Sequence, residues 1–454
     1  MRTPITHKPP VRQLALEILC RVETTDAFAD QLISSVAARR GLSDQARAFL
    51  RELTYGVLRW RNRLDWLLRQ CSARALETLT PRVRNVLRLG AYQVAMMERI
   101  PVHAAVNETV HLARQVEHVG VAGFVNAVLR SLARQRDAFA LPGEGEDLLA
   151  YLTITQSHPR WLVERWVARY GPQRTVAMCQ ANNQLPPLVV RVNRLRLTRE
   201  RLIEVLTAAG CEVEPCRFAP EAVLLRAHPP LDRLPGYQRG WFTVQDEAAM
   251  LCTYLLGACP GERILDACAA PGGKATHIAE RMDDQGEVVC LDQSPRRLRL
   301  VEANRQRLGL RSLVCTAGDA TTVVFDRPFD RMLVDAPCSG LGVLRRHPDA
   351  KWRKGAELIT AMARQQIAIL NGVSRFLKPG GMIVYVTCST EPEENQEVVQ
   401  TFLRQRPDFY LEDIAEALPP PARRFVHDGV WFQTWPGAEG LDGFFGARLR
   451  RRAG

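Results

Sequence analysis

Apolar residues in the first third of the chain recur at helical spacing. Leu14, Ile18 and Val22 fall four positions apart, and similar runs follow further along. A period of three to four residues is typical of amphipathic helices packed around a core. Proline stands at segment edges, such as Pro81 at the start of a helical run. The pattern predicts an all-α domain over residues 1–140.

The pattern then changes twice. Residues 141–147, Leu-Pro-Gly-Glu-Gly-Glu-Asp, are rich in turn formers, and a short strand follows a helical stretch near residue 190. Residues 141–240 are therefore predicted to be a small α+β domain that connects its neighbours or binds RNA. From residue 241 short apolar strands alternate with helices, which favours a doubly wound parallel sheet of the α/β, Rossmann-like class. The predicted strands cover residues 263–266, 288–292, 313–316, 331–335 and 382–387, and the helices cover 274–282, 295–308 and 357–376.

Length and composition exclude several classes of protein. A chain of 454 residues is expected to hold two to four domains. The longest charge-free apolar stretch, residues 248–260, is too short for a bilayer span, and residues 1–10 lack the apolar core of a signal peptide. The 12 cysteines include no Cys-x-x-Cys pair, which argues against disulfides and structural zinc. We expect a cytoplasmic protein that uses neither a membrane nor a metal.

Positive charge is concentrated in the N-terminal part. The chain carries a net charge of +12, and residues 1–140 hold 21 basic against 12 acidic residues. Such a basic helical region indicates a module that binds a polyanion, although solubility alone would also account for it.

Three features at predicted strand ends suggest a nucleoside-bearing ligand. Residues 266–274, Asp-Ala-Cys-Ala-Ala-Pro-Gly-Gly-Lys, form a loop of small residues between a strand and a helix, where backbone amides can approach a ligand. The loop matches neither a Walker A motif nor a Gly-x-Gly-x-x-Gly fingerprint. Asp292 ends the next strand, where a carboxylate can bind ribose hydroxyls, and Asp319 is placed to meet an adenine edge. Each aspartate alone is also typical of a helix cap or turn, but together they favour S-adenosyl-L-methionine.

Two cysteines follow later strands. Cys338 lies in Asp335-Ala-Pro-Cys-Ser-Gly-Leu-Gly, and Cys388 lies in Val-Thr-Cys-Ser. Either could be a small buried hydrophobe. Methylation of carbon 5 of a pyrimidine, however, needs a nucleophile at carbon 6, and a thiolate can add there and later leave. Asp335 or Lys274 could polarise the ring by hydrogen bonding.

These motifs resemble a known family. The three segments around Lys274, Cys338 and Cys388 look like those of RNA cytosine-5 methyltransferases of the NOL/Sun group. Leu-Gly-Ala-Tyr-Gln from residue 89 and Phe-Val-Asn-Ala-Val-Leu-Arg from residue 124 are similar to the NusB-like RNA-binding domain that precedes the catalytic domain in some members. Residues 442–448 match the family's closing strand, so the resemblance covers nearly the whole chain.

The resemblance implies a role for each site residue. Cys388 is expected to be the nucleophile and Cys338 to assist product release, with the exchange of these roles as the alternative. Lys274 and Asp335 are expected to orient the target base. The residues expected to contact or flank S-adenosyl-L-methionine are Cys268, Ala269, Ala270, Pro271, Gly272, Gly273, Lys274, Asp292, Asp319 and Asp335.

The resemblance also implies an RNA substrate. The expected target is cytosine 967 of 16S ribosomal RNA, either free or in a partly assembled small subunit, and the protein is expected to act as a monomer. A buried pair of thiols would require an unstacked cytosine. The alternatives are the same chemistry on transfer RNA and a non-catalytic RNA-binding protein of the antitermination type.

Two basic segments could add affinity for RNA. Residues 345–354 contain Trp352 among six basic side chains, and such a loop could hold phosphates while the indole stacks. The alternative is a solvated face with Trp352 packed on the domain. The arginine-rich tail, residues 448–452, could contribute electrostatically or be frayed.

Overall fold

The helical period of the N-terminal part gives a bundle of α-helices. The computed structural model describes residues 10–25, 27–353 and 355–453, so most of the segment considered above for a signal peptide lies outside the described residues. Its contacts divide the chain into two units. The first extends to Gln184 and also takes in Leu344–Arg353, and the second holds Leu185–Val343 and the residues that follow Arg353.

The first unit is all-α around one apolar core. The side chains predicted to face inward do so, and Leu14, Ile18 and Leu89 are each at most 2% exposed. Ser43 and Thr80 cap the helices that follow them by accepting a backbone N–H. The helices are α1 (Val11–Thr24), α2 (Ala29–Arg40), α3 (Asp44–Arg59), α4 (Arg61–Cys71), α5 (Pro81–Met96), α6 (Val102–Val116), α7 (Val119–Gln135), α8 (Leu148–Ala150) and α9 (Arg160–Asn183), with a kink at Gly171 in α9.

The second unit begins with a small antiparallel sheet. Its four strands are β1 (Leu188–Val192), β2 (Glu212–Pro215), β3 (Ala222–Ala227) and β4 (Phe242–Val244), in the order β2-β3-β1-β4. Helix α10 (Arg199–Ala208) packs on it, and α11 (Glu247–Tyr254) leads to the next sheet. The α+β character predicted for this part of the chain is confirmed.

A nine-stranded mixed sheet forms the rest of the second unit. The predicted strands are present as β5 (Arg263–Ala267), β6 (Glu287–Asp292), β7 (Leu313–Ala317), β8 (Phe329–Asp335) and β9 (Leu377–Thr387), all parallel. The helices between them are α12 (Gly273–Arg281), α13 (Pro295–Leu308), the short α14 (Ala350–Arg353), which belongs to the first unit, and α15 (Ala356–Ser374), followed after β9 by α16 (Gln396–Gln405).

The predicted parallel sheet is confirmed, and at one edge antiparallel strands extend it. The strands β10 (Phe409–Leu411), β11 (Val426–His427), β12 (Trp431–Gln433) and β13 (Phe445–Arg451) add an antiparallel extension, and β13 pairs with β9. The full order is β11-β12-β13-β9-β8-β5-β6-β7, with β10 beside β13. Three of these four strands have only two or three residues, too few to show an alternating pattern in the sequence.

Candidate functional site

The carboxyl ends of the parallel strands surround a cavity of about 260 Å³. Ligands in open α/β sheets bind at this edge, outside the strand ends. The cavity is lined by the predicted residues Cys268, Ala270, Asp292, Asp319, Asp335, Cys338 and Cys388. The structure therefore brings the predicted cofactor loop, all three predicted aspartates and both cysteines together at one opening.

The loop between β5 and α12 turns sharply at the cavity. Cys268 has a left-handed backbone with φ of 64°, which is uncommon for a residue with a side chain. Gly272 has φ of 100°, and a Cβ there would lie 3.2 Å from Val301. Ala269, Pro271, Gly272 and Gly273 do not line the cavity, and they shape the turn that brings Cys268 and Ala270 to it.

The acidic residues at the strand ends differ in the number of hydrogen bonds that their carboxyl groups accept. Asp292 accepts the N–H of Ser294 at 2.9 Å and of Ala270 at 3.3 Å. Asp319 accepts the N–H and hydroxyl of Thr321, and these bonds lower the pKa of Asp319. Asp266, which is fully buried, has no hydrogen-bond partner on either carboxyl oxygen among the described residues, and burial raises its pKa well above the ordinary value. A buried carboxyl without a partner is uncommon in proteins, and this one precedes the predicted cofactor loop in the chain.

Lys274 lies beside Asp335 rather than in the wall of the cavity. Its Nζ donates to Asp335 Oδ2 at 2.7 Å, and the ammonium lies 5.2 Å from the ring centre of Phe444. Burial lowers the pKa of Lys274, but the Asp335 charge outweighs it and the net direction is upward. Lys274 is thus held as a cation, with Asp335 between it and the cavity.

The two cysteines face each other. The strands β8 and β9 are parallel neighbours, so the loops that follow them meet, and the Gly342 N–H donates to the Cys388 carbonyl at 2.9 Å. The Sγ atoms of Cys338 and Cys388 are 3.2 Å apart. The hydrogen bond with Cys388 and burial raise the pKa of the Cys338 thiol well above its ordinary value. The raised pKa favours a protonated Cys338 that can give a proton to the neighbouring sulfur.

Several residues at the site were missed by sequence reasoning. Gln293, Arg297, Gln365 and Ile369 also line the cavity. Arg297 lies in the first turn of α13 and donates to the Ala270 carbonyl. No motif in the sequence predicts this contact. Glu394 contacts both cysteine loops from a short helical turn after β9, as described below.

Part of the basic segment considered for phosphate binding is buried instead. In the first unit the Lys351 ammonium is fully buried and donates to the carbonyls of Arg59 and Ser157 and, at 2.8 Å, to the side chain of Asn183. Arg345 is 3% exposed, and the Trp352 indole N–H donates to the Leu58 carbonyl. These three side chains therefore pack within the first unit, which their charged neighbours in the sequence do not indicate. Lys354 lies outside the described residues.

The arginine-rich tail is neither frayed nor free. Residues 445–451 form β13, Arg450 pairs with Glu412, and the N–H of Arg452 donates to the Asp408 carbonyl at 2.8 Å. Among the described residues no cluster of three or more His, Cys, Asp or Glu side chains is arranged to hold a metal ion, and no described helix is both long and apolar enough to cross a membrane.

Comparison with sequence families agrees with this three-part layout. Residues 9–134 match the family described as NusB, and residues 158–232 match a ferredoxin-like domain of RsmF/B-like methyltransferases. Residues 253–450 match the family described as 16S rRNA methyltransferase RsmB/F.

Named relatives match along most of the chain. A probable ribosomal RNA small subunit methyltransferase B of Bacillus subtilis is 38% identical over 452 residues, covering 98% of this chain and 99% of the relative. Ribosomal RNA small subunit methyltransferase B of Escherichia coli is 39% identical over 417 residues, covering 90% and 92%.

Solved structures share the fold. The crystal structure of PH0851 superimposes with a TM-score of 0.80 at 24% identity and covers 98% of this chain and 99% of that one. A methyltransferase homologue from Pyrococcus horikoshii gives a TM-score of 0.57 at 25% identity and covers 67% and 99%.

Proposed function

Because this chain belongs to the RsmB/F family of 16S rRNA methyltransferases and also has an N-terminal NusB domain, we propose that it methylates carbon 5 of one cytosine through a covalent cysteine–cytosine adduct. The observation that carries the proposal is the pair of thiols, 3.2 Å apart, at the edge of the cavity. Carbon-5 methylation needs one group to add to the ring and another to handle protons, and two adjacent thiols can divide this work.

In the proposed reaction Cys388 is the nucleophile. Its thiolate forms a bond from Sγ to carbon 6 of the cytosine, and the electron pair of the 5,6 double bond moves onto carbon 5, which becomes nucleophilic. After methyl transfer the carbon-5 proton leaves to a base, the double bond re-forms, and the bond from Sγ to carbon 6 breaks. Cys338, whose raised pKa keeps it protonated, is suited to assist this release rather than to attack first.

Asp335 and Lys274 would orient and polarise the base. A negative charge builds up on the cytosine ring as the thiolate adds, and a proton or cation near the ring stabilises it. Asp335 lines the cavity, and Lys274 donates to it at 2.7 Å. Lys274 therefore fixes the carboxylate, which can accept a hydrogen bond from the target base, and its positive charge lies behind that carboxylate.

The residues present fit S-adenosyl-L-methionine, the methyl donor of this class of enzyme. Asp292 and Asp319 line the cavity and retain lone pairs for hydroxyl and amino donors. When bound, the cofactor supplies an electrophilic methyl group. We assign its binding to residues 268–274 with Asp292, Asp319 and Asp335, and the reaction needs no metal.

The proposed substrate is 16S ribosomal RNA, at the cytosine equivalent to 967, free or in a partly assembled subunit. The two thiols are at the edge of a cavity, so the cytosine must leave its stack to reach them. The basic N-terminal helices are suited to hold the surrounding phosphates. We propose that the protein works as a monomer in the cytoplasm, with the three segments 1–140, 141–240 and 241–454 as its domains.

Two cysteine variants test the mechanism. We expect Cys388→Ala to bind RNA but to lose turnover, because no adduct can form. We expect Cys338→Ala to accumulate a protein–RNA adduct that survives denaturing electrophoresis, because attack proceeds and release fails. An adduct from Cys388→Ala instead would reverse the two roles, and turnover in both variants would contradict the covalent mechanism.

A further inference from the structure

A single carboxylate contacts both cysteine loops from behind. Glu394 lies in a short helical turn that follows β9 and is fully buried. Its Oε1 accepts the Ser339 N–H at 2.6 Å, and its Oε2 accepts the Ser389 hydroxyl at 2.5 Å. Ser339 and Ser389 directly follow Cys338 and Cys388 in the chain. One side chain therefore bonds to the residue next to each thiol.

Other bonds complete the network around this carboxylate. The Ser339 hydroxyl also donates to Oε2, and the two serine hydroxyls are 3.1 Å apart. Gln366 donates through Nε2 to Glu394 Oε1 at 3.2 Å and to the Pro337 carbonyl at 2.9 Å. The Tyr385 hydroxyl donates to the Glu394 carbonyl at 2.6 Å. The residue is thus fixed through both its backbone and its side chain.

The charge of this carboxylate has no cation beside it. No Lys, Arg or His of the described residues forms an ion pair with Glu394, and burial raises its pKa. A buried carboxyl without a cation costs free energy that an apolar side chain would avoid. Four donors from the two thiol loops and α15 offset this cost, so the arrangement stabilises one geometry of those loops in particular.

We propose that Glu394 is the positioning residue for the catalytic thiols, which fixes their separation by holding the Cys338 loop and the Cys388 loop to one carboxylate. The inference rests on the proposed function for its catalytic consequence, but the geometry it asserts does not depend on activity. A displacement of about 1 Å at a reacting group can reduce a rate by about 100-fold. The residue is expected to control chemistry and not substrate binding.

The first test measures how close the thiols are held, without any methyl transfer. Diamide oxidises two neighbouring thiols to a disulfide and is itself reduced to the hydrazine, and peptide mass mapping resolves the Cys338–Cys388 product from the other cysteines. We expect the wild-type chain to form this disulfide at least about tenfold faster than Glu394→Ala. Glu394→Gln, which can still accept the Ser339 N–H, should be intermediate. The control, Glu397→Ala, removes an exposed carboxylate of α16 and should match the wild type.

The second test separates positioning from folding. We expect Glu394→Ala to lower kcat by about 100-fold with unchanged KM for RNA, and Glu394→Gln to recover to within about tenfold of the wild type. Equal disulfide rates and equal kcat in all variants would overturn the assignment. So would loss of the folded circular dichroism spectrum in both Glu394 variants, because the residue would then be merely structural. A wild-type chain that methylates no RNA, but whose thiols still react faster than those of Glu394→Ala, would contradict the proposed function and leave this inference standing.

Discussion

Lys274 and Asp335 form an ion pair next to the cavity. Lys274 is 10% exposed at its side chain and donates to Asp335 at 2.7 Å. Removal of either partner leaves the other with an uncompensated charge in a partly desolvated place. The catalytic contribution of one residue is therefore expected to depend on the presence of the other.

We predict that Lys274→Met and Asp335→Asn each lower the single-turnover methylation rate by about 100-fold, because each removes the polarisation of the target base. The double variant should be little slower than either single one, since the two effects share one interaction. Rapid-quench kinetics at saturating RNA measures all three. Fully multiplicative losses would show that the two side chains act independently.

Site residues in short local motifs could be predicted from the sequence, and those that act through contacts with distant parts of the chain could not. The loop from Cys268 to Lys274, both cysteines and Asp292 stand in short motifs after strands, so local sequence shows them and parallel pairing brings them together. Glu394 and Arg297 act through contacts with residues 55 and 27 positions away in the chain, which no local motif encodes. Asp266 looks like any strand residue until its burial without a donor is seen.

A buried ion pair joins the small sheet to the helix of the cofactor loop. Arg191 on β1 donates to Glu280 on α12 at 2.8 Å, and both side chains are at most 1% exposed. Arg191 also donates to the Gly273 carbonyl at 2.8 Å, at the start of the same helix. This arginine therefore supports the helix that follows the predicted cofactor loop.

We predict that Arg191→Met lowers the free energy of unfolding by about 3–5 kcal/mol, because Glu280 is left buried without its cation. The control is Arg201→Ala, which breaks a pair of similar length whose side chains are 66% and 64% exposed. That change should cost less than about 1 kcal/mol. Urea denaturation compares the variants, and equal losses would contradict the importance assigned to burial.

Lys351 makes the stability of the helical unit depend on pH. Burial lowers the pKa of Lys351 to about 7 from an ordinary 10.5. Between these values the unfolded chain binds the proton and the folded one does not, so stability rises with pH. We predict that hydrogen exchange in α9 slows from pH 7 to pH 8.5, after correction for the intrinsic exchange rate. Lys351→Met should remove this part of the slope, and an unchanged slope would contradict a buried amine with a low pKa.

Helices and strands with a strong apolar periodicity could be predicted from the sequence, and those with a weak periodicity could not. The helical runs predicted in the first unit and the strands β5 to β9 are confirmed, and each of these elements spans five residues or more. The six basic side chains of residues 345–354 suggested phosphate contacts or a solvated face, whereas Lys351 is buried and donates to three acceptors of the first unit. The charge of a side chain therefore does not show whether the folded protein provides buried hydrogen-bond acceptors for it.

Net charge is the property that belongs to the whole molecule. The chain carries +12, with most of the excess in residues 1–140. Binding through phosphates releases counterions, so affinity falls as salt rises. We predict that binding of small-subunit ribosomal RNA by the full chain weakens by at least about tenfold between roughly 50 and 200 mM salt. Filter binding measures this, and a flat response would contradict recognition through the basic helices.

Carbon-5 methylation of a ribosomal RNA cytosine can be tested by identifying the nucleoside that receives the methyl group. The purified chain is incubated with isotopically labelled S-adenosyl-L-methionine and, separately, with unmodified small-subunit ribosomal RNA and transfer RNA, and the labelled nucleoside is identified by mass spectrometry. We predict label in 5-methylcytidine from ribosomal RNA alone. Label in transfer RNA alone would keep the chemistry and contradict the substrate. No label in either RNA, despite binding, would contradict the claim and favour a non-catalytic RNA-binding protein.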